Sequence, residues 1–285
     1  MIRILNVDLK NTFCTSHNIL YAVKDQYLLH MNIIVPPDNS DGVLYPLVMY
    51  VQGSGWRKQK MIKSMPYLME FSKKGYVIAI VEYRYSEIAS FPAQIKDMKT
   101  AIRFMMKNAK EYNADIDKMV IAGDSSGAHT AVMTEMTKDL QEFSDENLEL
   151  GDLPIKAVID LFGPTDLSKM GTPQDTRDHL SANSTEGKLF GGKNILEIPD
   201  LVQQANPIAY INKEKARPPY LIIHGTSDTI VNSSQSDMLY EALNNAGKQV
   251  EMIKITGAVH FGDPFWKPEV MEIMDSFIQS AICRV

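Results

Sequence analysis

Gly123-Asp124-Ser125-Ser126-Gly127 follows directly on the apolar run Met119-Val120-Ile121-Ala122 and leads into Ala128-His129-Thr130-Ala131-Val132-Met133, which reads as a helix. The stretch therefore predicts a strand, a tight turn and a helix, with a serine at the apex. Small residues two before and two after that serine let the chain reverse sharply and leave the Ser125 hydroxyl above the sheet edge, over a helix N-terminus. Five residues of this pattern arise readily by chance, so the surrounding sequence has to decide.

Outward from the turn, apolar runs alternate with helical patterns, the signature of a mostly parallel sheet covered on both faces. Leu28–Val35, ended by Pro36-Pro37, reads as an early strand antiparallel to its neighbour. Leu47–Val51, Tyr76–Val81, Met119–Ala122, Ala157–Phe162, Tyr220–His224 and Val250–Ile255 read as the others. Pro92–Asn113 spaces Ile95, Met98, Ala101, Ile102, Met105 and Met106 along one helical face, a stripe that predicts core packing. Residues 232–246 and 265–281 pass the same test. From Gly163 to Pro219 the rhythm breaks into polar, Gly- and Pro-rich sequence, too long for a structureless loop and better read as a partly helical insertion over one face of the sheet.

The 285 residues are 45% hydrophobic and 22% charged, ordinary for a globular α/β chain. A formal charge of −6 with no Lys/Arg block argues against nucleic acid or an anionic membrane as main partner and points to a small-molecule ligand. Met1–Lys10 lacks a signal-peptide pattern and no stretch is apolar enough to span a bilayer, so a chain starting natively here is expected in the cytoplasm. Cys14 and Cys283 lie near opposite ends and are expected to be free thiols.

A serine hydroxyl is a weak nucleophile until a base takes its proton, and the base needs a carboxylate to set its tautomer. In an open parallel sheet the functional loops lie at the carboxyl ends of strands. Tyr220–His224 is followed by Gly225-Thr226-Ser227-Asp228, and Val250–Ile255 by Thr256-Gly257-Ala258-Val259-His260. Ser125, Asp228 and His260 are thus the candidate nucleophile, orienting acid and base. Rivals are weaker: His129 lies on the helix that the turn launches, His224 ends a strand and is expected to shape the Asp228 loop, and His17, His30 and His179 have no motif around them. Asp160 is inside a strand, Asp263 is too close to His260, and Asp166 is the reserve acid. No pattern of metal ligands occurs, and no cofactor is expected. Acyl transfer also needs backbone N–H donors at the developing oxyanion, each worth roughly 3–4 kcal/mol. Ser126 supplies one, and Gln52-Gly53-Ser54-Gly55-Trp56, after Leu47–Val51, is placed to supply the other.

With these motifs the chain resembles α/β-hydrolase esterases of the hormone-sensitive-lipase and bacterial feruloyl- and acetyl-esterase-like group, which also includes kynurenine formamidases. Gln52–Trp56 is similar to that group's His-Gly-Gly-Gly-Trp loop, Glu82-Tyr83-Arg84-Tyr85-Ser86 to Asp-Tyr-Arg-Leu-Ser, and Phe91–Gln94 with Asp97 to the helix that follows. Phe162–Leu167, Asn206-Pro207-Ile208 and His224–Asp228 extend the likeness across roughly residues 27–280. It implies an α/β-hydrolase fold: a mostly parallel eight-stranded sheet flanked by helices, one domain over residues 1–285 with a cap-like insertion at about 165–217. It also implies Ser126, Ser54 and Gly55 as oxyanion positions. Gln52 stands where the group has histidine, and Ser54 stands where it has a middle glycine, which restricts φ if that position is left-handed.

The expected activity is hydrolysis of short-chain carboxylic esters through an acyl-enzyme, with acetylated oligosaccharides as the substrate class that the resemblance implies. An arylformamidase-like amidase and a non-catalytic ligand-binding protein on the same fold are the alternatives. Trp56, beside the oxyanion loop, is a candidate substrate wall as well as a candidate packing residue.

Overall fold

The computed structural model describes residues 14–37, 42–173 and 175–283; the N-terminal Met1–Lys10 lies outside them. Eight strands form one sheet: β1 Thr15–Lys24, β2 Tyr27–Val35, β3 Tyr45–Val51, β4 Val77–Val81, β5 Ala114–Asp124, β6 Ile155–Leu161, β7 Tyr220–Gly225 and β8 Val250–Ile255. Their order is β1-β2-β4-β3-β5-β6-β7-β8. The β1/β2 and β2/β4 pairs are antiparallel, and every later pair is parallel. β1 escapes the apolar-run reading because it is an edge strand on which only Tyr21 is buried. β5 begins at Ala114 rather than Met119: Ala114 and Asp115 pair with Tyr45 and Pro46 of β3, and the register then shifts so that Met119 meets Leu47.

The central strands are buried on both faces, so their sequences run apolar without alternation. On one face lie α2 Ala93–Asn108, α3 Ser126–Met136 and α6 Ser234–Asn245. Met98, Ile102 and Met105 of α2 pack there with Met49, Ala79 and Ile121, so the methionine stripe is core. α2 stops at Asn108 and the pattern continues as a 3-10 turn, Ala109–Tyr112. The other face carries α1 Met65–Ser72, which periodicity did not disclose, and α7 Pro268–Ile282. Leu68, Phe71, Phe277 and Ile278 close over Val48, Ile78 and Val120.

Between β6 and β7 the described residues hold only short helical pieces, including α4 Thr185–Leu189 and α5 Pro199–Gln204. They share a small core of their own, with Leu167, Leu189, Phe190, Ile195 and Val202 packed around Trp56 of the loop after β3. One indole thus ties the insertion to the sheet edge. A buried ion pair braces the same edge: Arg84, just after β4, donates from Nη2 and Nε to the Asp97 carboxylate of α2 at 2.7 and 2.9 Å. Gln94 of α2 donates to the Arg84 carbonyl at 2.8 Å. Cys14 and Cys283 are free thiols.

Candidate active site

β5 ends at Asp124 and α3 begins at Ser126, so Ser125 alone makes the turn between strand and helix. It does so at φ 53°, ψ −127°, a strained conformation for a residue with a side chain. The turn is tight enough to forbid larger flanking residues: a Cβ on Gly127 would lie 2.0 Å from the Val51 carbonyl oxygen, and one on Gly123 would lie 2.5 Å from Gly127. Here the glycines serve close approach of α3 to the sheet.

The loops after β7 and β8 open on the same edge. His260 Nε2 lies 2.9 Å from Ser125 Oγ, and His260 Nδ1 lies 2.6 Å from Asp228 Oδ2. Because Nδ1 faces a carboxylate it carries the proton, which leaves the Nε2 lone pair for the serine O–H. All three side chains are nearly buried. Asp228 is held from every side, since Oδ1 accepts from the Ile230 and Val231 amides at 2.9 and 3.0 Å and Oδ2 also accepts from His224 Nε2 at 3.1 Å. Burial pushes its carboxyl up, but hydrogen bonds from His224 and His260 outweigh this and hold it well below the usual carboxylate range.

The competing residues go elsewhere. His224 also donates to the Val231 carbonyl at 2.9 Å and accepts from Ser236, so it shapes the Asp228 loop as expected. His129 donates from Nε2 to the Ala205 carbonyl at 2.7 Å, tying α3 to the insertion, and burial lowers its pKa to about 4. Asp166 caps Ser168 and pairs with Lys169. Asp263 accepts from Tyr67 at 2.8 Å.

The loop after β3 is fastened to the serine turn by two contacts that sequence reasoning missed. Asp124 Oδ1 accepts from the Gly53 amide at 3.0 Å and from Tyr50 Oη at 2.6 Å. Ser126 Oγ accepts from the Ser54 and Gly55 amides at 3.0 and 2.9 Å. The two amides thus converge on a single oxygen beside Ser125, and that oxygen belongs to the protein. As the first residue of α3, Ser126 has no intrahelical acceptor for its own N–H. Ser54 is absent from the positive-φ residues, whereas Gly55 has φ 64°, so serine at position 54 is unstrained. The Ser54 hydroxyl donates to the Arg57 carbonyl at 2.5 Å, and having spent its proton there accepts from Tyr83 Oη at 2.9 Å.

Ser125, Ser126 and His260 open into a chamber of about 230 Å³ whose walls include Trp56, His179 and Glu186. Trp56 is buried, edge-on to His129 at 5.3 Å, so it both packs and lines. His179 donates from Nδ1 to Glu186 Oε1 at 2.9 Å, while His179 Nε2 and Glu186 Oε2 have no protein partner. Neither residue carried a sequence signal, because two side chains seven apart in an irregular segment share no period.

A second chamber of about 510 Å³ adjoins the first and shares Gly53, Ser54, Arg57, Lys63 and Phe261 with it. Arg57, Lys58, Lys60 and Lys63 all line it. A net charge of −6 conceals this local cationic run, four cations in seven residues, which corrects the reading that the chain has no Lys/Arg block.

The chain is similar to known esterases. Esterase LipC of Mycobacterium tuberculosis is 26% identical over 219 residues, 75% of this chain and 52% of LipC. The chain spans about half the length of the curated relatives it matches. Among solved structures, a truncated form of a carbohydrate esterase from gut microbiota superposes with a TM-score of 0.83 at 28% identity, over 96% of this chain and 99% of that one. The propionate-bound esterase Est2 of Thermogutta terrifontis superposes with a TM-score of 0.74 at 25% identity, over 93% and 94% of the two chains. The family model described as BD-FAE matches residues 31–243, and with that span, this sheet order and these neighbours the chain belongs to the BD-FAE family and has the α/β-hydrolase fold.

Proposed function

We propose that the protein is a serine carboxylic-ester hydrolase that works through an acyl-enzyme on short-chain esters. The observation that carries this reading is the continuous chain from Ser125 Oγ to His260 Nε2 at 2.9 Å and from His260 Nδ1 to Asp228 Oδ2 at 2.6 Å. Ser125 Oγ attacks the ester carbonyl carbon as its proton passes to His260 Nε2. The oxyanion that forms is held by the N–H groups of Ser126, Ser54 and Gly55. When the C–O bond to the alcohol breaks, the same proton leaves on the alcohol oxygen; water then repeats the sequence, releasing the acid and restoring the serine. Asp228 keeps the imidazole in the reactive tautomer and offsets the charge of the imidazolium.

An acetylated oligosaccharide is the substrate class we favour. Support comes from the likeness to the solved carbohydrate esterase from gut microbiota, at 28% identity over 96% of this chain. The propionate held by Est2 supports a short acyl group. On this reading the segment at about 165–217 acts as a cap over the chamber, and Trp56 walls it.

The test is fluorophosphonate labelling together with turnover of 4-nitrophenyl acetate. Unmodified protein labels at Ser125 and turns over the ester, and Ser125→Ala loses both. Turnover that survives Ser125→Ala removes the mechanism.

A further inference from the structure

The larger chamber is built unlike the reaction chamber it adjoins. Its floor is aromatic: Tyr67 and Trp266 stack at 5.6 Å with their planes 10° apart, and Tyr50 lies 6.1 Å from Trp266. Its lining carries Arg57, Lys58, Lys60 and Lys63, and Arg177 lines the reaction chamber together with Arg57 and Lys63. Among the described residues none of these five side chains has an ion-pair or hydrogen-bond partner, although acidic residues exceed basic ones in the chain by 35 to 29. The acids that line the two chambers, Asp124 and Glu186, pair with none of these cations. Asp124 accepts from Tyr50 and Gly53, and Glu186 accepts from His179. Asp263, beside Tyr67, accepts from its hydroxyl.

Such a concentration of unpaired cations over a low-dielectric floor focuses a positive field into the chamber. The cations of the lining select charge, while the outer face of a stacked aromatic pair offers a surface on which a further ring can lie flat. We propose that the larger chamber binds a six-membered ring bearing a carboxylate, so that the ester this protein turns over is joined to an acidic ring. The inference rests on the esterase reading above and names its substrate more closely. Two sources share this chemistry: a uronate unit of an oligosaccharide, and a carboxylated aromatic ring.

The test compares kcat/KM for acetylated uronate-containing oligosaccharides against acetylated neutral ones, and for 4-acetoxybenzoate against phenyl acetate. It uses the full chain and the double variants Lys58→Gln/Lys60→Gln and Lys58→Glu/Lys60→Glu, which alter only exposed side chains. In low salt the acidic-to-neutral ratio should fall roughly fivefold in the neutralised variant and roughly 20-fold in the reversed one, mainly through KM. Raising NaCl to about 0.3 M should flatten the differences. The arm that responds identifies the source. Ratios that move with neither variant nor salt overturn the proposal, while 4-nitrophenyl acetate turnover and Ser125 labelling leave the esterase reading standing. If that reading fails instead, titration of glucuronate and benzoate followed by Trp266 fluorescence still decides: a saturable, salt-sensitive change supports the chamber, and its absence ends it.

Discussion

Ser126→Ala separates two meanings of the amides that meet at Ser126 Oγ. In the resting protein that hydroxyl accepts from Ser54 at 3.0 Å and from Gly55 at 2.9 Å. If these N–H groups are to hold a substrate oxyanion, the hydroxyl must first rotate to another staggered well and give them up. Each neutral hydrogen bond is worth a net ~1 kcal/mol, so surrender of both costs up to about 2 kcal/mol, or about 30-fold in rate. Alanine removes the competitor. Water from the chamber covers the amides at rest and is displaced more cheaply, so kcat/KM should rise about 3- to 30-fold, while the lost bonds cost roughly 1 kcal/mol of stability. The assay is the initial rate on 4-nitrophenyl acetate and butyrate, normalised to active sites by fluorophosphonate titration so that a change in folded fraction does not enter. A drop of tenfold or more with normal labelling would refute the reasoning: the hydroxyl would then be what holds the loop in place, and the oxyanion would find its donors elsewhere.

Asp228→Asn should lower kcat by about 10⁴ with labelling slowed in proportion. The carboxylate takes hydrogen bonds from two backbone amides on Oδ1 and two histidines on Oδ2; backbone N–H groups can only donate, so the Asn oxygen takes them and its NH₂ faces the histidines, which turns His260 to the wrong tautomer. A loss under tenfold would show that Asp228 does not orient the base. Asp160, one strand over, tests linkage instead of chemistry. Burial pushes its carboxyl up to about 6, against the Gly163 amide that donates to Oδ1 at 2.8 Å and the nearby His224. The folded form therefore holds a proton that the unfolded form releases between about pH 4 and 6, and stability falls as pH rises through that window, by on the order of 2–3 kcal/mol in all. Asp160→Asn keeps the acceptor and removes the charge. Its melting temperature should exceed that of the parent by about 3–5 °C at pH 7.5 and by nearly nothing at pH 4, and equal shifts at both pH values would reject the linkage.

The meeting of Ser125, Asp228 and His260 was legible because each stands in a short loop after an apolar strand, and the ends of those strands all face one edge. Each strand end could be read on its own, and the order along the chain then matched one topology. β1 was not legible because an exposed edge strand buries almost nothing and so writes no apolar run. The resemblance also flagged Arg84 and Asp97 without a reason, and the structure supplies one: a buried guanidinium with its Nε and Nη2 on the Asp97 carboxylate locks the end of β4 to α2.

Specificity was the least legible part, and the cause is geometric. The stacked pair Tyr67 and Trp266 lies 199 residues apart in sequence, and His179 reaches Glu186 inside a segment with no period. Arg57, Lys58, Lys60 and Lys63 stand close in the sequence, but Gln59, Met61 and Ile62 interrupt them, so they did not register as a block, and nothing local shows what lies beneath them. Only when α1 and the turn before α7 bring Tyr67 and Trp266 under that run does the charge acquire a floor, and with it a ligand to select. Chemistry in this fold follows from where strands end, whereas substrate choice follows from which distant side chains the loops bring over the same opening.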